Sequence, residues 1–258
     1  MTIDSSALSR RRFLAGASVF GIALSIPGCA YARTPITEVE SFRRVGMSDR
    51  DVVAAALVQW QRTGGTLDFA PGRNYNLGVV TSPNPIFMIR NHPGGMINGR
   101  GARLVCRTLG PGKTQMFLVQ NSSNLEITNL TAEDHGVDIS VDWKGMDFIH
   151  FEGGRGPNRN MVLRNITVDG AVSLVACSGD VGRARSRGLV IDGATAKNCY
   201  YGALFIDTFD QVSIDLSSID CRRTYFPYGV TDHKASLNIS HGSTTLGADA
   251  CILVKRYG

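Results

Sequence analysis

From Asn124 to Gly242, short runs of alternating apolar and polar residues return in variant form. The run reads Asn124-Leu-Glu-Ile-Thr-Asn-Leu-Thr131, then Asn160-Met-Val-Leu-Arg-Asn-Ile-Thr167. It comes back as Gly188-Leu-Val-Ile-Asp-Gly-Ala-Thr195, Gln211-Val-Ser-Ile-Asp-Leu-Ser-Ser218 and Lys234-Ala-Ser-Leu-Asn-Ile-Ser-His241. From Leu125 to Met161 is 36 positions, from Met161 to Leu189 is 28, and the steps to Val212 and Ala235 are 23 each. Alternation with period two predicts strands with one inward and one outward face. A repeat in the twenties predicts a parallel β-solenoid, in which each coil buries its inner face only by stacking on the next.

The expected inward pairs are Leu125 and Ile127, Met161 and Leu163, Leu189 and Ile191, Val212 and Ile214, and Ala235 and Leu237. Three residues later stand Leu130, Ile166, Ala194, Ser217 and Ser240, where the broken period predicts a bend. A second apolar run follows in each coil: Asp147-Phe-Ile-His-Phe151, Ala171-Val-Ser-Leu-Val175, Gly202-Ala-Leu-Phe-Ile206 and Ala250-Cys-Ile-Leu-Val254. The longer early periods predict inserted loops at Val137–Gly145, Gly153–Arg159 and Gly179–Arg187, which are rich in Gly, Ser, Arg and Asp. An antiparallel sandwich would also alternate, but its turn signals should recur every 8–12 residues.

Before the repeats, Ser48 to Gln61 predicts a helix. Ser48 and Asp51 form a capping box, and Val52, Val53, Ala56, Leu57 and Trp60 share one face. Gly64-Gly65 ends it. Such a helix suits a cap over the first coil, which would otherwise expose apolar side chains and strand edges. Then come Gly64-Gly-Thr-Leu-Asp-Phe-Ala-Pro-Gly-Arg-Asn-Tyr-Asn-Leu77 and Ile97-Asn-Gly-Arg-Gly-Ala-Arg-Leu-Val105. With the preceding helix, these segments resemble the opening of the pectate-lyase superfamily. The resemblance implies an all-β fold, a single-stranded right-handed parallel β-helix with an N-terminal capping helix. It implies little about reaction, since such folds serve polysaccharide lyases, glycoside hydrolases, epimerases, phage tailspikes and inert modules. Gly99 and Gly101 read as a turn, because no helix follows to make a nucleotide site.

The first residues change the expected compartment. Ser9-Arg10-Arg11-Arg12-Phe13-Leu14 matches a twin-arginine export signal, Ala15 to Ile26 supplies its weakly apolar core, and Ala30-Tyr31-Ala32 is a cleavage site. The apolar run is too short for a stable membrane span. Ile26-Pro27-Gly28-Cys29 is a poorer lipoprotein box than Ala30-Tyr31-Ala32 is a cleavage site. The expected organisation is a signal peptide over 1–32 and one β-helix domain over 33–258, exported to the periplasm or beyond by the twin-arginine machinery. Cys251-Ile-Leu-Val254 reads as a strand with no cap after it, so further coils or another subunit are expected there. The formal charge of +5 falls to +3 without residues 1–32, which hold three arginines and one aspartate. That permits an acidic ligand and calls for no nucleic-acid partner.

Aligning the coils and counting eight positions on from the first inward residue gives Glu133, Asp169, Lys197, Asp220 and Ser243. Two further on lie His135, Ala171, Cys199 and Arg222. Stacked coils would turn these into an outward ridge with steps of about 4.8 Å. Asp169 and Asp220 could act as an inverting carboxylate pair. Alternatively, Lys197 or Tyr225 could take the proton beside a uronate carboxylate that Arg222 or Arg223 neutralises. The competing reading is a solvated stripe of paired charges. The expected catalytic residues are Asp169, Lys197, Asp220 and Arg222, and the expected binding residues are His135, Arg223, Tyr225 and Tyr201. The expected function is a polysaccharide lyase acting on a uronate-containing glycan. The alternatives are a polygalacturonase-like hydrolase and a carbohydrate-binding or structural β-helix without catalysis.

Other features are weaker. Ser240-His241-Gly242 and Lys255 resemble polygalacturonase elements, but the Asp-Asp pair is missing. Thr231-Asp232-His233 resembles a pectate-lyase triplet without its basic partners. The five histidines have no metal-ligand spacing, so no cofactor is expected, though the acidic residues leave room for calcium. Cys177, Cys199 and Cys221 are 22 apart, which suits either buried stacking or a Cys199–Cys221 disulfide. Tyr200-Tyr201 and Tyr225-Phe226-Pro227-Tyr228 suit either a sugar platform or packing.

Overall fold

The computed structural model describes residues 34–81, 84–109, 113–136, 145–179, 185–230, 233–242 and 250–254. The expected export signal with Cys29, much of the expected loops at 137–145 and 179–187, Thr231-Asp232, Ser243 and Lys255 lie outside them. None of the helices among the described residues is long and apolar enough to cross a membrane.

Among the described residues, the unit beginning at Thr34 is all-β apart from helical segments near its start, and every strand pairing is parallel. One sheet, called A here, runs β1 (Ile36–Glu38), β2 (Thr66–Asp68), β5 (Gly95–Thr108), β7 (Leu125–Asp134), β9 (Arg159–Asp169), β11 (Arg187–Lys197), β13 (Asp210–Ile219) and β15 (Ala235–His241), with β3 (Asn74–Val80) also on β5. The other, sheet B, runs β4 (Phe87–Arg90), β6 (Lys113–Gln120), β8 (Gly145–Glu152), β10 (Ser173–Ser178), β12 (Tyr201–Ile206), β14 (Arg223–Tyr228) and β16 (Ala250–Ile252). From β4 onward the chain alternates between the sheets, so the long ladders pair residues one full pass apart. The expected repeat is the observed register: Leu189 stands opposite Met161 and Val212, and Val212 opposite Ala235.

The helix α1 (Asp49–Thr63) starts where its cap predicts. Ser48 Oγ accepts from Asp51 N–H at 3.2 Å, and Gly64 ends the helix at φ +69°. Val52, Val53, Ala56, Leu57 and Trp60 are all buried and join the main core. Gly65 is required by a close approach, since a Cβ there would lie 2.1 Å from the Pro35 carbonyl oxygen.

In sheet A, β7, β9 and β11 are each bent by one extra residue. Asn129 and Asn165 hold φ of +54° and +52°, and Asn165 donates to Asn129 Oδ1 at 3.2 Å. Gly193 takes the same place in β11. β13 has no such residue, so its register against β11 slips by one between Ile191 and Ala194. This corrects the expected inward positions: Leu216 and Ile239 stand in line with Ala194, while Ser217 and Ser240 face out and hydrogen-bond each other at 2.8 Å. A one-residue slip turns every following side chain over.

Sheet B bends too, at adjacent inward pairs. Met116 with Phe117, Phe148 with Ile149 and Leu174 with Val175 all enter the main core. Phe117 packs edge-on against Phe148 at 5.8 Å and on Phe87 at 5.3 Å. Each fully buried side chain of this size stabilises by about 1.5–3 kcal/mol, so the apolar columns supply most of the cohesion. Cys199 and Cys221 occupy equivalent buried positions, whereas Cys177 is opposite Phe151 and Phe205. All three are free thiols.

Candidate functional site

The bend in sheet B decides which polar residues share a face. In a straight strand, residues three apart point to opposite sides. Because Phe148 and Ile149 both turn inward, Asp147 and His150 both turn outward. On β10 the same bend puts Ser173 and Ser178 on that face, with Ser173 opposite Asp147.

These residues form one hydrogen-bonded chain. Asp147 is fully buried. Its Oδ2 lies 2.8 Å from Lys113 Nζ and 3.0 Å from His150 Nδ1, and its Oδ1 accepts from Ser173 Oγ at 2.5 Å. On the far side of the ring, His150 Nε2 lies 2.7 Å from Ser178 Oγ. Burial pushes the Asp147 carboxyl upward, but the Lys113 charge and the His150 hydrogen bond outweigh it and hold the group below its ordinary 3.8. The carboxylate is therefore ionised and can only accept, so His150 Nδ1 carries the proton. Nε2 then presents its lone pair to the Ser178 hydroxyl. That is the bonding pattern by which an imidazole takes a proton from a hydroxyl and a carboxylate steadies the resulting charge. The side chains remain within reach from outside: His150 is 13% exposed and Lys113 15%.

Next along the same face is a satellite cluster of Val172, Ala176, Tyr200, Tyr201, Leu204 and Phe226. Tyr201 and Phe226 stack at 5.4 Å with their planes 7° apart. The Arg222 guanidinium lies 4.8 Å over the Tyr200 ring, and that of Arg223 lies 5.2 Å over Phe226. Arg223 also donates to the Tyr201 hydroxyl at 3.2 Å. Tyr200, Tyr201 and Phe226 are at most 6% exposed. These rings are packed beneath arginines and are not an open platform for sugar rings.

The expected site residues fall in different places. Asp169 and Lys197 are in register on β9 and β11, with Glu133 next in the row. Asp169 accepts from the Asn198 side chain at 2.7 Å, and Glu133 pairs with Arg103 and lies 3.4 Å from His135. Asp220 is one step out of this row, because Ile219 faces Lys197. Asp220 instead occupies a left-handed turn position, φ +52°, as Asn198 does at +49°. Arg222, Arg223 and Tyr201 belong to the outer side of sheet B. Tyr225 points into the core, where its hydroxyl bonds His233 and burial pushes its pKa up. His135 is 64% exposed at the edge of an open groove of about 690 Å³, shared with Asn74, Asn76 and Arg107. The eight residues thus form no single cluster.

Sequence reasoning passed over Lys113 and Ser178 and met Asp147 and His150 only as members of an apolar run. The signal was available in the doubled apolar pairs Met116-Phe117, Phe148-Ile149 and Leu174-Val175. Each interrupts period two, and in β8 the break brings the polar residues Asp147 and His150, three apart, onto one face. Among the described residues, no cluster of His, Cys, Asp and Glu could hold a metal ion.

No family model matches the chain, and no curated protein does. Among solved structures, the chain is similar to a presumed glycosyl hydrolase of Parabacteroides merdae ATCC 43184. The match has 12% identity and a TM-score of 0.42, covering 85% of this chain and 96% of the other. At that distance the likeness carries no function across.

Proposed function

We propose that this chain is a right-handed parallel β-helix enzyme that hydrolyses acyl esters on a glycan, with Ser178 as nucleophile, His150 as general base and Asp147 as the residue orienting it. The observation that carries this reading is the chain Ser178 Oγ–His150–Asp147, with links of 2.7 and 3.0 Å to a fully buried carboxylate. The glycan comes from the resemblance of the opening segments to the pectate-lyase superfamily.

In the first step Ser178 Oγ attacks the acyl carbon while its proton moves to His150 Nε2. The bond from that carbon to the sugar oxygen breaks, and the sugar oxygen takes the proton from His150. Water then attacks the acyl-enzyme and gives a proton to His150. The carboxylic acid leaves, and Ser178 recovers its hydrogen. Lys113 and Ser173 keep Asp147 ionised and in place throughout.

The test is acid release from acylated oligosaccharides. Ser178→Ala and His150→Ala are each expected to lower kcat by about 10³-fold or more. Unchanged release by Ser178→Ala sinks the reading.

A second reading keeps the lyase. It rests on Asp169 and Lys197 standing in register at the corner where the chain crosses toward sheet B. There Lys197 would abstract the proton beside a uronate carboxylate, and Arg222 would neutralise that carboxylate. A lyase yields an unsaturated, ultraviolet-absorbing product that Lys197→Ala abolishes and Ser178→Ala does not.

A further inference from the structure

Beside the relay, the same face carries a row that the proposed mechanism does not use. Arg90, Gln120, Glu152 and Ser178 are in register on β4, β6, β8 and β10. Arg90 Nε donates to Gln120 Oε1 at 2.8 Å, and Gln120 Nε2 donates to Glu152 Oε2. Gln120 is only 3% exposed, and its amide is spent on these two partners. Arginine can only donate and a carboxylate only accept, so the orientation of the amide between them is fixed. Glu152 is therefore held from behind by a buried group. One of its oxygens is bound, and none of the described residues makes an ion pair with it. It lies one strand from Ser178, about 4.8 Å across the ladder, and two residues from His150 on the same strand.

We infer that Glu152 selects the substrate of the proposed esterase: its carboxylate accepts hydrogen bonds from hydroxyls of the sugar bearing the ester, and its charge excludes glycans with a carboxylate there. The substrate class is then an O-acylated neutral polysaccharide. This rests on the esterase reading of Ser178. The physical argument is complementarity. A fixed carboxylate gains charge-assisted hydrogen bonds from sugar hydroxyls, and it repels a uronate held within a few ångströms, more strongly as water is displaced.

The test uses the full chain with acetylated xylo-oligosaccharides as neutral probes and acetylated oligogalacturonides as acidic ones. Affinities are measured on Ser178→Ala, and kcat/KM is measured on the parent and on Glu152→Gln. The neutral probe is expected to be favoured by about tenfold or more in both measurements, the scale of one like-charge contact. Glu152→Gln keeps the shape and the bond to Gln120 but removes the charge. It is expected to bring the two probes within about threefold, mainly through KM. Equal or reversed preference in the parent overturns the inference, and so does a preference that Glu152→Gln leaves in place. Acetate release that survives Ser178→Ala refutes the esterase reading itself, and the binding preference is scored separately on that variant.

Discussion

On sheet A, Arg164 reaches Glu126 on one neighbouring strand and Asp192 on the other, and the three side chains are 31–45% exposed. On sheet B, Asp147 reaches Lys113, His150 and Ser173 from a position with no exposure at all. The same pairing of strands builds both networks. The difference is water. Exposed charges gain little from each other because solvent already satisfies them. A buried carboxylate depends on its partners, and they on it, so its ionisation and geometry are held by the protein. For this reason the charged stripe on sheet A reads most simply as surface pairing, and the compact relay on sheet B as a chemical device.

The strongest way to break this contrast is to remove the buried carboxylate. Asp147→Ala is expected to lower stability by about 3–5 kcal/mol, because it breaks a buried salt bridge to Lys113 and the hydrogen bonds of His150 and Ser173. Urea unfolding measures it, and a loss below about 1 kcal/mol would put the two faces on a par. The register slip comes next. Leu216→Ala is expected to cost about 2–5 kcal/mol, while Ser217→Ala stays within about 0.5 kcal/mol. The opposite ranking would restore the alignment in which Ser217 faces inward and Asp220 faces Lys197.

A pH series sharpens the comparison. Burial holds His92 and His233 below the ordinary histidine value of 6.5. Unfolded chains therefore bind more protons at these sites than folded ones, and stability falls as pH drops below about 6.5. Asp147, held below 3.8, contributes stability that is lost only as pH falls through its own lower value. His92 packs at a tilt against Trp60, with ring centres 4.1 Å apart, so His92→Phe should flatten the loss of thermal stability between pH 7 and 5. An acid limb as steep as the parent's would count against that assignment. The smallest effect belongs to sheet A. Asp192→Ala should cost within about 1 kcal/mol, and less in high salt. A larger loss would mean that surface pairs carry more of the fold than their exposure allows.

Much of the architecture was legible because it is written in local periodicity. Ser48, Asp51 and Gly64 mark the helix, and the steps from Leu125 to Ala235 are the register itself. The site was harder for the same reason. Counting eight positions from Val212 assumes that every strand bends alike, and β13 lacks the residue that Asn129, Asn165 and Gly193 supply elsewhere. Strict alternation through Val212, Ile214, Leu216 and Ser218 was the clue.

By itself, the order of residues determined the strands, their spacing, the capped helix and the inward pairs from Leu125 to Ile214, since each depends on neighbours within one pass of the chain. Tertiary structure alone decided that Asp147, His150 and Ser178 meet, that Tyr225 turns inward and that Asp220 leaves its row. Those outcomes depend on how separate passes align and on which positions lose their water, and a single residue's shift in that alignment reverses the side of the sheet on which a group ends.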